Sequence, residues 1–157
     1  MMNIAKEPDV ILGALKDHEH ALAHLYDVYA ETFPECEALW AELAREEIQH
    51  ADWLDSLQAR IEGSPEDFVV DRFSVATIEH SIKYVERLFD RAKQPDFTLI
   101  NALSTALQLE KALIENKYFE VLEGDSANTK RTLEQLAQCT QLHYKKLHKA
   151  WREHGGG

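Results

Sequence analysis

Four stretches of the chain carry apolar residues at helical spacing, and each is interrupted near its middle by polar side chains. The first two stripes consist of Val10, Leu12, Leu15, Glu19, Leu22, Tyr26 and Tyr29, and of Leu39, Leu43, Glu47, His50, Leu54 and Leu57. The last two consist of Leu103, Leu107, Glu110, Leu113 and Val121, and of Leu133, Leu136, Thr140, His143 and Leu147. This periodicity predicts four amphipathic helices that carry polar groups into a shared core.

Prolines, glycines and capping residues place the helix ends. Pro8 is tolerated in a first turn, Pro34 separates two helices, Gly63 stops the second, and Ser74 caps a further one. The predicted helices span about residues 8–32, 35–61, 74–93, 97–122 and 129–152. Because a structureless connection from 63 to 95 would be unusually long, we expect an amphipathic helix within it. Two helical hairpins joined by a long crossover predict a four-helix bundle, formed by a single domain over residues 1–157.

A Glu-x-x-His pair lies in the middle of the second predicted helix. Glu47 and His50 are three positions apart, so their side chains point about 60° apart on one helix face and can hold one metal ion. The stretch from Leu136 to His143 repeats Leu, Ala and His at the same offsets, with Thr140 in place of the glutamate. The two halves of the chain therefore resemble each other, as an internal duplication would produce.

The polar members of the stripes form a candidate metal site. They are Glu19, Glu47, His50, Glu110 and His143. A buried carboxylate is costly unless it is paired, and a divalent cation would neutralise three of them at one level. Carboxylate and imidazole ligands suit iron, manganese or zinc. The alternative is that the stripes are misphased and these residues face solvent, as most glutamates do.

Other polar and aromatic residues lie close to these stripes. His18, His20 and His24 are too close together to all face inward, so we expect surface positions for them, and likewise for His148. Tyr26 and Tyr118 are expected to be core aromatic residues whose hydroxyl groups are bonded near the candidate site.

Composition restricts the partners and the compartment. With 28 acidic and 17 basic residues the net charge is −11, which disfavours binding to nucleic acid or anionic membranes. Cys36 and Cys139 form no Cys-x-x-Cys motif, so neither a zinc ribbon nor a rubredoxin knot is encoded. No apolar run is long enough for a membrane span, and residues 1–10 do not resemble a signal peptide. We expect a cytoplasmic protein.

Four short motifs carry a resemblance to a known family. They are Asp17-His18-Glu19 with Tyr26, Leu43-Ala44-Arg45-Glu46-Glu47-Ile48-Gln49-His50, Leu109-Glu110-Lys111 with Ile114-Glu115, and Leu136-Ala137 through His143. In this order, over about residues 8 to 152, the chain resembles the rubrerythrin family of the ferritin-like superfamily. The resemblance implies a ferritin-like four-helix bundle with a di-iron centre. Glu47 would bridge the metals, Glu19 and Glu110 would be terminal ligands, and His50 and His143 would hold one metal each.

The resemblance implies an oxidoreductase that oxidises ferrous iron or reduces peroxide. Because the rubredoxin module is absent, a separate electron-donor protein would be needed. Thr140 stands where the family has a ligand glutamate, which leaves two alternatives open: a non-catalytic metal-binding protein holding one ion, or a metal-free structural or interaction module. A homodimer is expected if the crossover helix and Trp53 or Trp151 supply an interface.

Overall fold

The computed structural model describes residues 6–63, 68–70, 75–115, 122–124 and 127–157. Its helices are α1 (Lys6–Thr32), α2 (Glu37–Gly63), α3 (Val75–Arg91), α4 (Leu99–Glu115) and α5 (Ala127–Glu153), with one 3-10 turn at Pro34–Cys36. The strands β1 (Phe68–Val70) and β2 (Leu122–Gly124) are the remaining regular elements of the described residues. The five predicted helices are confirmed within the described ranges.

The helices form two hairpins joined by the crossover helix. α1 packs along α2 and against α3, α4 packs against α5, and α2 also contacts α5. Buried residues on α3 are Ile78, Val85 and Leu88, which lie on one face as the apolar spacing predicts. The five helices thus form a bundle in which α3 covers part of α1. Across the described residues, no helix is both long enough and apolar enough to cross a membrane.

A short ribbon connects the two interhelical segments. β1 and β2 are antiparallel, with Phe68 opposite Gly124 and Val70 opposite Leu122. The prediction that the helix before this segment continues to Leu122 is wrong, because the backbone of Leu122 pairs with β1 instead. Such pairing between distant segments overrides local helical propensity. Ser74 and the predicted inward residue Val121 lie outside the described residues.

The core follows the predicted stripes except at two positions, Val10 on α1 and Trp40 on α2. Val10 was expected inside but is 51% exposed. Val10 and Leu12 are two positions apart, hence about 200° apart on a helix, and Leu12 is the one that points inward. Trp40 was not predicted but is fully buried. It extends the buried face of α2 beside Leu43, while Leu39 is only partly buried.

Candidate metal centre

The five polar residues of the stripes converge in the interior of the bundle. One comes from α1 (Glu19), two from α2 (Glu47 and His50), one from α4 (Glu110) and one from α5 (His143). None of the five is more than 2% exposed. The interpretation in which the stripes are misphased and these residues face solvent is therefore wrong. That they act as metal ligands stays a prediction.

Glu47 lies between the two histidines. Its Oε1 atom is 2.9 Å from Nδ1 of His143, and its Oε2 atom is 3.4 Å from Nδ1 of His50. The two imidazole rings stack with their centroids 5.2 Å apart and their planes inclined by 19°. Each histidine therefore directs the same ring nitrogen toward a different oxygen of one carboxylate.

Each histidine also has an acid of its own. Oε2 of Glu19 is 3.6 Å from Nδ1 of His50, and Oε1 of Glu110 is 3.6 Å from Nδ1 of His143. The centre thus divides into two similar halves, each with one imidazole nitrogen, one outer carboxylate and one oxygen of Glu47. The similarity of the two halves of the sequence appears here as a local pseudo-symmetry.

Several metal-donor atoms in this centre make no hydrogen bond of regular geometry within the described part of the chain, although the ion-pair contacts above bring both imidazole nitrogens close to carboxylate oxygens. They are Oε2 of Glu19, Oε2 of Glu47, Nδ1 of His50, Oε2 of Glu110 and Nδ1 of His143. Buried polar atoms are rarely left without a partner, so this cluster needs an explanation. Donor atoms of Glu47, His50 and His143 all lie within 4.8 Å of one another, so this group could hold a metal ion.

Comparisons with known proteins identify no relative. No family model matches the chain, and neither the curated proteins nor the solved structures gave a match. The chemistry of the centre must therefore be inferred from its own side chains.

In the metal-free protein the histidines and acids neutralise one another. Burial lowers the pKa of His50 and His143, but the neighbouring carboxylates outweigh it and raise both pKa values to about 11. Burial and the charge of Glu47 raise the pKa of Glu19 to about 8. Burial opposes ionisation of Glu47 too, but contacts with Glu19 and both imidazoles leave its pKa below the usual value. A metal ion would have to displace these protons.

Tyr26 fixes one of the outer acids. Its hydroxyl group donates a 2.7 Å hydrogen bond to Oε1 of Glu110, and its side chain is fully buried. Burial and the neighbouring carboxylates raise the pKa of Tyr26 well above its ordinary value, so the hydroxyl remains a donor. The prediction of a core tyrosine bonded near the site is confirmed for Tyr26, while Tyr118 lies outside the described residues.

A network at the edge of the centre was missed by sequence reasoning. Nε2 of His143 is 3.3 Å from Oε2 of Glu46, whose Oε1 is 3.2 Å from Nζ of Lys146. Lys146 also donates a 2.6 Å hydrogen bond to Oε1 of Glu42. The available signal was helical spacing, because Glu42 and Glu46 are four apart on α2 and Lys146 follows His143 by three on α5. The network orients the ring of His143, as carboxylates do for metal-binding histidines.

The other half of the centre has an aromatic neighbour. The indole ring of Trp53 stacks on His50 with centroids 5.4 Å apart, and Trp53 is only partly buried. Trp151 is partly buried as well, and its Nε1 atom donates a hydrogen bond to Ser104. Both tryptophans are thus engaged within the chain. The expected homodimer stays a prediction.

Thr140 lies on α5, at the position where the family pattern has a ligand glutamate. It is 3% exposed, and its hydroxyl group donates a 2.9 Å hydrogen bond to the carbonyl oxygen of Leu136. This hydroxyl group therefore has its hydrogen-bond acceptor within its own helix and supplies no negative charge. The side chain of Glu115, part of the family pattern, lies outside the described residues.

Two histidines differ from their expected surface positions. His18 is 1% exposed, with Nε2 2.8 Å from Oγ of Ser81, because α3 covers this face of α1. His148 is partly buried, and its ring stacks on Tyr144 and Trp151. His20 and His24 are exposed as predicted.

Proposed function

We propose that the protein is a rubrerythrin-like oxidoreductase, which holds two transition-metal ions in this centre and oxidises ferrous iron or reduces peroxide. The observation that supports it best is the position of Glu47, which offers one oxygen to each of two equivalent histidines. A single carboxylate placed in this way is suited to bridging two ions. The ferritin-like form of the helical bundle and the kinship with rubrerythrins are parts of the same proposal.

The donor set fits such ions. Three carboxylates carry three negative charges, and two neutral imidazoles complete the set, so two divalent ions would leave the buried centre with little net charge. This mixture of oxygen and nitrogen ligands suits iron, manganese or zinc, and the resemblance to rubrerythrins implies iron. The unpartnered buried atoms would all gain a partner.

Some side chains would bind the ions, and others would orient the ligands. Nδ1 of His50 and Nδ1 of His143 would each lose a proton as an ion binds. Tyr26 would hold Glu110 in place through its hydrogen bond, and Glu46 would fix the ring of His143. Bound iron would supply one-electron oxidation and reduction, which none of these side chains provides.

The electron balance of peroxide reduction fits a pair of ions. One hydrogen peroxide molecule takes up two electrons and two protons and gives two water molecules, and iron held by Glu19, Glu47, His50, Glu110 and His143 would supply the one-electron chemistry that this reduction requires. Further turnover would require two electrons from a donor outside this helical domain, because Cys36 and Cys139 form no rubredoxin-type motif.

A non-catalytic metal-binding protein is the second candidate. It is favoured by Thr140, which brings no charge to the position where a further carboxylate would help to hold two ions. Donor atoms of Glu47, His50 and His143 within 4.8 Å of one another suffice for one ion. A metal-free helical module is the third candidate, since the raised pKa values of both histidines let the centre neutralise itself.

Loading with ferrous iron tests the proposed activity. Protein loaded without oxygen and then mixed with hydrogen peroxide should develop ferric absorbance within seconds, with one peroxide consumed per two ferrous ions. Glu47→Gln should abolish this rapid phase, while the exposed control Glu134→Gln should retain it. Iron binding without faster oxidation than free ferrous iron would favour the non-catalytic candidate.

A further inference from the structure

A second concave site lies between the crossover helix and α4. The cavity has a volume of about 430 Å³, which is within the range of small-molecule sites. Its lining includes Tyr84, Arg87, Leu88, Arg91 and Phe97, together with Asn101 and Ser104. None of these residues belongs to the metal centre, so the cavity requires an explanation of its own.

The charge of this cavity is opposite to that of the protein. The chain carries a net charge of −11, yet the described residues that line the cavity include two arginines and no carboxylate. Arg91 is already neutralised, because its Nη1 and Nη2 atoms lie 2.9 and 3.1 Å from the two carboxylate oxygens of Asp96. Arg87 lies over the ring of Tyr84 at 5.8 Å and has no ion pair with any residue that the structure describes.

Two polar groups that line the same cavity as Arg87 have hydrogens left to donate. Oδ1 of Asn101 accepts hydrogen bonds from the backbone and hydroxyl groups of Thr98, so its amide nitrogen remains a donor. Oγ of Ser104 accepts a 3.1 Å hydrogen bond from Nε1 of Trp151, so its own hydrogen remains available. Such an excess of donors is complementary to a ligand rich in acceptor oxygens.

The remaining lining is apolar. Leu88 and Phe97 are 6% and 7% exposed and form the inner wall, where the guanidinium group of Arg91 lies over the Phe97 ring at 5.5 Å. The ring of Tyr84 lies under Arg87, so a planar body would pack beside this pair and along the edge of the apolar wall. The lining therefore favours a molecule with both an oxyanion and a planar or apolar body.

We propose that this cavity binds a small organic anion, a carboxylate or phosphate monoester on a planar body, with Arg87 as its charge partner. The guanidinium group can donate two parallel hydrogen bonds to either oxyanion. Asn101 and Ser104 supply further donors, and the body packs against Tyr84, Leu88 and Phe97. This site is independent of the proposed metal chemistry.

Calorimetric titration of the full-length protein with phenyl phosphate and with benzoate tests the proposal and distinguishes the two oxyanions. At least one should bind saturably, with a dissociation constant of about a millimolar or below. Phenol, which has the ring without the charge, and inorganic phosphate, which has the charge without the ring, should each bind at least about tenfold more weakly. Binding should also change the fluorescence of Trp151 through Ser104, a change that Trp151→Phe removes.

Exposed arginines allow matched variants without risk to the core. Arg87→Gln should weaken binding of the better probe about tenfold or more, and Arg87→Lys should weaken it less. Arg131→Gln removes the same charge from α5 and should bind as the unaltered protein does. The proposal is overturned if neither anion binds saturably, if Arg87→Gln binds as tightly as Arg131→Gln, or if phenol or inorganic phosphate matches the better probe. Because metal-free protein is used, failure here leaves the oxidoreductase proposal untouched.

Discussion

Tyr26 on α1 donates a 2.7 Å hydrogen bond to Glu110 on α4, so the two helical hairpins are linked inside the candidate metal centre. The donor and the acceptor are both fully buried. Because a buried carboxylate loses its hydration, this one donor matters more than a surface hydrogen bond would. The contact also fixes the outer acid of the half-site that contains His143.

Tyr26→Phe should therefore weaken both the fold and the centre. We expect the metal-free protein to lose about 1–3 kcal/mol of unfolding free energy, because an oxygen of Glu110 becomes unsatisfied. Metal affinity should fall as well, since the carboxylate loses its orientation. Chemical denaturation and metal titration measure the two effects. Tyr144→Phe is the control, because its hydroxyl group has no hydrogen bond among the described residues. Equal behaviour of the two variants would argue against the role of Tyr26.

The stability of the metal-free protein should fall as the pH rises above 6.5. The folded state keeps protons on His50 and His143, whose pKa values are raised to about 11, whereas unfolded histidine has a pKa of 6.5. The stabilising contribution is complete below pH 6.5 and is lost as the pH approaches 11. The pKa of Glu19 is raised from 4.5 to about 8, so its contribution to stability is also lost as the pH rises between these two values.

Denaturation of chelator-treated protein between pH 6 and pH 9 measures this slope. Each histidine contributes up to about 1.4 kcal/mol per pH unit. The stabilisation that a metal ion adds should increase as the pH rises over this range, because its ligands must be deprotonated. A metal-free protein whose stability rises over this range would contradict the protonated pair of histidines.

Glu46→Gln should lower metal affinity although Glu46 is not a predicted ligand. Its carboxylate is 3.3 Å from Nε2 of His143, on the opposite side of the ring from Glu47. Loss of such a partner typically reduces affinity about 10- to 100-fold. The matched control is Glu42→Gln, since Glu42 shares Lys146 with Glu46 but does not contact His143. Competitive titration with a chromogenic chelator compares them, and equal affinities would rule out the orienting role.

Thr140→Glu should lower the stability of the metal-free protein and raise its metal affinity. A larger, charged side chain at a position 3% exposed should cost the metal-free protein about 2–4 kcal/mol. If Thr140 faces the ions, a fourth carboxylate should strengthen the binding of two of them. The side chain of Thr140→Gln has the same size without the charge, so this variant should lose stability without gaining metal affinity. Thermal unfolding with and without manganese measures both, and Thr140→Glu should gain more from the metal than Thr140→Gln.

The sequence predicted those features that depend on one helix at a time. Glu47 and His50 share a face because three residues cover most of one helical turn, and this spacing is independent of what packs around them. The same reasoning placed Glu19, Glu110 and His143 in the interior, where the structure has them.

Features that depend on neighbouring elements were not predictable in this way. His18 is buried because α3 lies over α1, and nothing on α1 itself indicates that cover. Glu46 matters only because α5 brings His143 and Lys146 beside it. Leu122 belongs to a strand because a partner strand reaches it from the crossover segment. Each of these needs the relative placement of helices, which periodicity leaves open.

Metal stoichiometry is the most direct test of a centre in which Glu47 bridges two ions. Protein prepared without chelator, saturated with manganese(II) and freed of excess metal is analysed by mass spectrometry of its metal content. We predict two ions per chain in the unaltered protein and in Glu134→Gln, and loss of both ions in Glu47→Gln. Retention of one manganese ion or none per chain, or retention of metal by Glu47→Gln at the level of the unaltered protein, would contradict the proposed centre.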